Sequence, residues 1–545
     1  MVYTRRSTVL ASLAFMTLGV GDGMATSGET VALRCDVVDA ESGRALPVRV
    51  YARSSDGRWL FARSAAPDGS AITYDKQRFT QCVEKHTTVS AHPFLIDAPT
   101  GELALRIERG KEYLPVDRTV QVAPGAGPVK IDLKRWIDMA ARGWYSGDTH
   151  VHRSVEELPN LLLAEDLNVG LPLTYWVTTS HTPPGGKEGF GAGVKPEPIY
   201  VDPTHVIYPV NTEYEIFRVA ERRHTLGAVF ALGHKTPFPM GVPPVGPFAE
   251  RAREEGAILD LDKHSWPWSL MLVPVIRVDL FELANNHCWR TEFGFRQWTI
   301  DTVPDYMKLE RDERGLSERG WIDFGLQTYY ALLNCGFSMR PSAGTASGVH
   351  PVPLGFGRVY VHLPDGFTYE KWMEGLAAGR SFVTTGPMLM IEVDGRPPGA
   401  TIRQESSNPA KYRITGTAIA ARPLEPIEIV VGGRVVERVA AANRPAPRGG
   451  CHSPIDTRID VAESTWIAVR VFEDRLDGRV RFAHSSPVHV EVPGKRPRPR
   501  RKEIEYLVGR MKEELDRNRG VLRPDELAEY EKALSAYQRL GEHAR

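Results

Sequence analysis

The 545-residue chain lacks an excess of either charge: 68 Lys and Arg residues balance 68 Asp and Glu. Nucleic acid as a main partner calls for a local basic excess. The one basic run, Lys495-Arg496-Pro497-Arg498-Pro499-Arg500-Arg501-Lys502, is broken by proline and reads as a solvated linker. Long hydrophobic runs are scarce too. The run from Val9 to Val20 is short for a membrane span of about 20 residues, and none further along is longer, so no stable span is expected. Cysteine is sparse: five residues with no CxxC and no Cys/His cluster, which excludes a zinc ribbon. No Gly-x-Ser-x-Gly surrounds Ser342 or Ser347, against a serine hydrolase. There is no internal repeat, and no acid pair marks a glycosidase.

What is present describes a multidomain globular protein. Hydrophobic residues at 42% and charged residues at 25% suit packed domains, and the length suggests three or four of them. Residues 1–27 read as a signal peptide: Arg5-Arg6, the apolar run, then small residues around Gly23-Met24-Ala25. Thr4-Arg5-Arg6-Ser7-Thr8-Val9-Leu10 resembles a twin-arginine signal, so an exported, periplasmic or extracellular protein is expected. Cys35 and Cys82 fall in one module and can pair; Cys288, Cys335 and Cys451 are scattered. Oligomeric state leaves no signature.

Residues 28–137 predict a β-sandwich, with strands such as Val31–Val38 and Leu46–Ala52 separated by turns such as Asp39–Gly43. The phrase from Val38 to Pro47 resembles transthyretin-like or carboxypeptidase-regulatory-like modules, which brace or present a neighbour. Residues 140–385 alternate between patterns: a helix over Glu156–Leu167, a strand over Leu173–Thr178, a helix entered after a strand within Asn211–Arg223, and a strand at Ala228–Leu232. An apolar β-branched stretch spans Val273–Leu283, and a short helix spans Thr328–Asn334. That alternation predicts α/β with a largely parallel, barrel-like sheet. Residues 386–493 predict a second β-sandwich, with strands Met388–Val393, Ile427–Val431 and Trp466–Val471. Residues 494–545 predict a linker and helical tail.

The chemistry begins at Gly147-Asp148-Thr149-His150-Val151-His152. In a strand, period two places both imidazoles on one face with Cα atoms about 6–7 Å apart, within reach of one ion. Asp148 is positioned to orient an imidazole. His181, Glu213, His234 and His264 follow, each after an apolar or extended stretch. Imidazole and carboxylate together suit Zn, Mn or Fe over Ca or Mg. Trp144, Tyr145, Tyr175, Trp176, Trp266, Trp268 and Trp289 lie near these residues and can line a small-molecule pocket or simply pack. Arg153 can neutralise an anionic substrate or pair with Glu156 or Glu157.

The order Gly-Asp-x-His-x-His, Thr-x-His, Glu, His, His, then Phe281–Asn285 and Leu332–Phe337, resembles the PHP (polymerase and histidinol phosphatase) superfamily. Within it, Ala378-Gly379-Arg380-Ser381-Phe382-Val383-Thr384-Thr385-Gly386-Pro387 is similar to the CehA/McbA-like metallohydrolases related to carbaryl hydrolase. The resemblance covers about residues 140–395. It implies a distorted (β/α)7 barrel between the two sandwiches, holding one to three divalent transition-metal ions. His150, His152, His181, Glu213, His234 and His264 are then the expected ligands, with His181, His234 and Glu213 also catalytic. Asp148, Glu156, Glu157, Glu282 and His350 are expected as further ligands or supports. The implied activity is hydrolysis of an ester, carbamate, amide or phosphoester in a small-molecule substrate.

The chain departs from the family pattern at three places. Arg153-Ser154-Val155-Glu156-Glu157 stands where a Ser-Asp-Gly is usual, and Thr179-Ser180-His181 replaces Thr-Asp-His. The closing Gly-Ser/Thr-Asp-x-His reads Gly344-Thr345-Ala346-Ser347-Gly348, without its Asp and His; His350 lies two residues on. The alternative function is therefore a degenerate barrel that binds a ligand or partner without catalysis.

Overall fold

In the strand Thr30–Asp39, Leu33, Cys35 and Val37 point into a core while Arg34 faces out. The strict alternation makes it one face of a sandwich. The computed structural model describes residues 30–80, 82–185, 193–289, 302–313, 315–475 and 479–545, so the expected signal peptide lies outside the described residues. One layer of the N-terminal module runs Val129–Leu133, Thr30–Asp39, Phe94–Pro99, Ala62–Ser64. The other runs Ala71–Phe79, Cys82–Val89, Val48–Ser54, Gly101–Glu108, Val116–Val122. Val48, Val50, Ile96, Leu105, Ile107 and Leu133 fill the space between them. Cys35 belongs to this core, whereas Cys82 joins the central core, and no disulfide joins them.

The central residues form two open sheets, and no barrel closes among the described residues. A six-stranded sheet runs Tyr175–Thr179, Thr212–Val219, Arg222–Leu232, Ile258–Leu261, Leu280–Ala284, Arg340–Ala343. Its pairings are parallel except on both sides of Arg222–Leu232, which is antiparallel to its neighbours. The strand carrying the His-x-His, Trp144–Val151, lies in a different, twelve-stranded sheet, between Val169–Pro172 and Arg358–His362. Backbone bonds join the two sheets beyond the strand ends: His152 N donates to Ser347 O at 2.8 Å, and Ala346 N to His150 O at 2.7 Å.

Several local expectations change here. Asn211–Arg223 contains no helix; Thr212–Val219 is a strand, because Thr-Glu-Tyr-Glu-Ile alternates and buries both faces against neighbouring strands. Within Val273–Leu283, Ser269–Ile276 is helical and only Leu280–Ala284 is a strand. The helix expected over Thr328–Asn334 starts earlier, at Glu318, capped by Ser317 Oγ accepting from Gly320 N at 3.0 Å. The first central helix is Leu158–Ala164, within the expected span.

The C-terminal strands do not form a free-standing second sandwich. Ser381–Thr384 pairs antiparallel with Phe482–Ser485, so the twelve-stranded sheet runs continuously from the central region into Thr465–Phe472 and Ile427–Val431. The four-stranded sheet Met388–Val393, Ala410–Ala420, Cys451–Val461, Arg444–Pro445 covers it, with Ile391, Ile414, Ile429, Ile467 and Val469 between. The tail is two helices, Arg501–Asn518 and Pro524–Gly541. They dock on the central region: Glu529 accepts from Val245 N and Gly246 N, and Tyr537 Oη donates to Leu270 O at 2.7 Å. No helix of the described residues is long and apolar enough to cross a membrane.

Buried neutral imidazoles give this fold an acid limb. Burial holds His484 down to about 3 and His234 down to about 4, each also bonded to a backbone carbonyl. The unfolded chain binds protons near the ordinary histidine value of about 6.5, before the folded chain does. Their stabilisation is thus present above about pH 6.5 and is lost as pH falls through about 4 for His234 and about 3 for His484. Urea unfolding across that window should show stability decreasing with pH, and a flat profile would contradict it.

Candidate metal centre

His150 and His152 close the strand Trp144–Val151 and its first following residue, and both are buried. Their Nε2 atoms lie 3.3 Å apart, with ring centres 5.2 Å apart. Glu213, second residue of Thr212–Val219, reaches the same point: Oε2 is 3.1 Å from His152 Nε2 and Oε1 is 4.0 Å from His150 Nε2. His150, His152 and Glu213 form one group able to hold a metal ion; His150, Asp262 and Glu282 form a second.

The second group meets the other side of the same ring. His150 Nδ1 lies 3.2 Å from Glu282 Oε2 and 3.6 Å from Asp262 Oδ1. Asp262 is fully buried and held by two donors, Lys263 Nζ at 2.7 Å and Trp266 Nε1 at 2.5 Å, both on Oδ2. Burial alone would raise the Asp262 carboxyl, but the Lys263 ammonium holds it below the usual carboxylate range. Lys263 in turn is raised: burial lowers it, and Asp262 and Glu282 outweigh that.

Glu213 behaves oppositely. Burial, with Asp262 nearby, pushes its carboxyl well up, and neither oxygen accepts a hydrogen bond. A buried carboxylate whose oxygens accept no hydrogen bond is costly. A cation between Glu213 and the two facing imidazole nitrogens supplies the missing partner, so the residues present fit a metal ion.

The backbone is shaped around these rings. Asp148 accepts from His150 N, Thr345 N, Thr345 Oγ1 and Gly355 N at 3.0, 3.2, 2.5 and 3.0 Å. Burial nevertheless raises it to about 6. Asp148 therefore ties the loops together and is not itself a ligand. A Cβ on Gly344 would stand 2.2 Å from His150 Cβ and 2.6 Å from Glu282 Oε1. Gly344→Ala is expected to cost about 1–3 kcal/mol through overpacking, read by urea unfolding, and to displace His150. The segment from Gly344 thus walls the centre, with Gly344 against His150 and Glu282 and Thr345 on Asp148.

Three expected ligands fall outside both groups. His181 adopts a left-handed backbone (φ 60°), and its Nε2 is bound to Glu526 Oε1 of the last helix at 2.6 Å. The tail, invisible as a partner in local sequence, took this imidazole. His234 uses both nitrogens structurally, Nε2 with Thr212 Oγ1 and Nδ1 with the Thr236 carbonyl, each at 2.8 Å. His264 is enclosed by Trp321 and Phe324, with ring centres at 4.7 and 4.6 Å, and belongs to neither group. Glu156 is exposed, and Glu157 pairs with Arg153 Nε at 3.3 Å. Arg153 thus takes its structural role, also lying over the Tyr74 ring. His350 turns its Nδ1 to Arg78 at 2.6 Å and supplies no ligand atom to either group. Of the expected supports, Glu282 is in place.

Sequence reasoning passed over Asp262, Lys263 and Glu215. A signal existed: Asp260 and Asp262 share one face of the otherwise apolar, fully buried Ile258–Leu261 and its extension. Glu213 and Glu215 likewise share a face. Carboxylates at period two in a buried strand are too costly to be incidental. Compared with known proteins, the chain matches no family model, no curated protein and no solved structure.

Proposed function

We propose that the chain is a hydrolase working with one divalent transition metal held by His150 Nε2, His152 Nε2 and Glu213. The observation that carries this is Glu213: a buried carboxyl group whose oxygens accept no hydrogen bond and lie 3.1 and 4.0 Å from two imidazole nitrogens. Three protein ligands with a position left over is the usual pattern of a catalytic rather than a structural zinc. One ion is favoured over two because both groups share His150. With Nε2 on the metal, Nδ1–H donates to Glu282, the arrangement that fixes a ligand's ring and raises its basicity. Asp262, neutralised by Lys263, belongs to that orienting shell. In support of a PHP-like barrel, the two central sheets meet at the site through the bonds between His150–His152 and Ala346–Ser347.

A divalent ion there supplies Lewis acidity, polarising an ester, carbamate, amide or phosphoryl oxygen and acidifying water. The protein's part is proton handling. Glu215, held by Trp176 Nε1 at 3.2 Å, is pushed to about 8 by burial and by Glu213. A divalent ion held by Glu213 would draw that value down, and Glu215 is the carboxyl group assigned to proton transfer with a leaving group. Trp176 also packs on His152, with ring centres 4.9 Å apart.

Metal analysis of the purified chain, joined to a panel of ester, carbamate, amide and phosphate substrates, tests the reading. Turnover that needs the metal and is lost in His152→Ala supports it; a chain that takes up no transition metal sinks it. The second reading, metal held without turnover, is favoured by the missing Asp and His and by the depth of the centre. His150, His152 and Glu213 are only 2, 4 and 1% exposed. Stoichiometric metal with an inactive panel would select it.

A further inference from the structure

The segment Leu354-Gly355-Phe356, whose Gly355 N binds Asp148, also bounds a separate cavity of about 240 Å3. It lies where the N-terminal module, the central region and the C-terminal strands meet. Its lining is rich in cations, among them Arg49, Lys111, Arg358 and Arg481. Lys111 Nζ donates to the Thr385 carbonyl at 2.8 Å and lies 4.7 Å from the centre of the Phe356 ring. Arg481 Cζ lies 4.7 Å from that same ring, and its guanidinium donates to the Val480 carbonyl.

The carboxylates that could neutralise this pair are already engaged. Glu108 and Glu165 are paired with Arg49, Glu473 with Arg475, and nearby Glu318 with Arg479. Among the described residues neither Lys111 nor Arg481 has an ion-pair partner. Burial and the like charges of Arg358 and Arg481 hold the Lys111 ammonium well below its ordinary value. Burial and neighbouring arginines bring Arg481 down to about 10. Glu473, already paired with Arg475, is the acid in the lining that acts on both; two desolvated cations gathered on one ring with no ion-pair partner of their own are relieved when an anion joins them.

We propose that this cavity binds a small oxyanion, a phosphate or carboxylate, at its Lys111 and Arg481 lining. Arg481, with Nη1 on the Val480 carbonyl, has Nε and Nη2 left to donate to an oxyanion, and Lys111 adds a point charge. Phe356 and Trp289 form an apolar wall beside them. The volume is below the roughly 300–1,000 Å3 of pockets for drug-sized ligands, which selects a small anion. This site stands apart from the metal centre and does not depend on the hydrolase reading.

Calorimetric titration of the full chain with inorganic phosphate, acetate and chloride at constant ionic strength tests it. Saturable one-to-one binding of phosphate or acetate is expected, the tighter of the two naming the anion's chemistry. Lys111→Met and Arg481→Met should each weaken it roughly tenfold or more. Lys111→Arg, which keeps the charge, should retain most of it, and His152→Ala should leave it unchanged. Thermal stability should rise with the anion in the wild type but not in Lys111→Met. Absence of saturable binding, an equal response to chloride, or loss in His152→Ala with retention in Lys111→Met would overturn the proposal.

Discussion

Glu213→Gln is expected to weaken transition-metal binding by at least roughly a hundredfold, because changing groups that merely support a ligand already costs about 10–100-fold. The substitution keeps the shape of the side chain and removes the charge. Glu213 has no hydrogen-bond partner to lose and sits buried with its carboxyl pushed up, so the metal-free variant should be as stable as the wild type or more so. Metal titration beside urea unfolding separates the two effects. The comparison that gives the result its force is with the imidazoles placed elsewhere. His181→Ala and His234→Ala should leave metal affinity within roughly twofold, since Glu526 and Thr212 already occupy those rings. His181→Ala should instead loosen the last helix. Equal losses of metal in all three variants would return the site to the ligand set expected from sequence.

Lys263→Met is expected to destabilise the metal-free protein by about 3–5 kcal/mol, the cost of leaving one member of a buried ion pair without the other. Lys263 is 3% exposed and Asp262 fully buried, so solvent does little to soften the loss. Glu282, also buried and pushed up by burial and by Asp262, adds a second acid to the same place. Asp262→Asn combined with Lys263→Met should recover much of the stability, because the double variant buries no net charge. Urea unfolding of the two single variants and the double one measures this coupling directly. A single-variant loss below about 1 kcal/mol would mean that the pair is effectively solvated.

The N-terminal module bears on the centre although it contributes no ligand. Tyr74 Oη accepts from Gly348 N at 2.8 Å and donates to the His350 carbonyl, while Arg78 meets the His350 ring. Both bonds fall on the loop whose Ser347 and Ala346 bind the backbone of His152 and His150. Tyr74 and Arg78 thus tie that loop to the N-terminal module.

Local pattern was sufficient where chemistry and periodicity agree within a few residues. The alternation in Thr30–Asp39, the pairing of His150 with His152 on one strand face and the helical spacing of the tail were all readable in the chain. Glu213 could be named as well, as an acid after an extended stretch, and Glu282 through the family resemblance of Phe281–Asn285. Which histidines join them was not readable, because an imidazole's partner depends on what packs against it from far along the chain. His181 was taken by Glu526, 345 residues away, and His350 by Arg78, 272 residues away. Asp262 became part of the centre only when Ile258–Leu261 paired with Leu280–Ala284 and brought Glu282 beside it. The His-x-His was thus determined by the sequence. The rest of its surroundings was decided by which strands meet, since only packing sets which buried charges must neutralise one another.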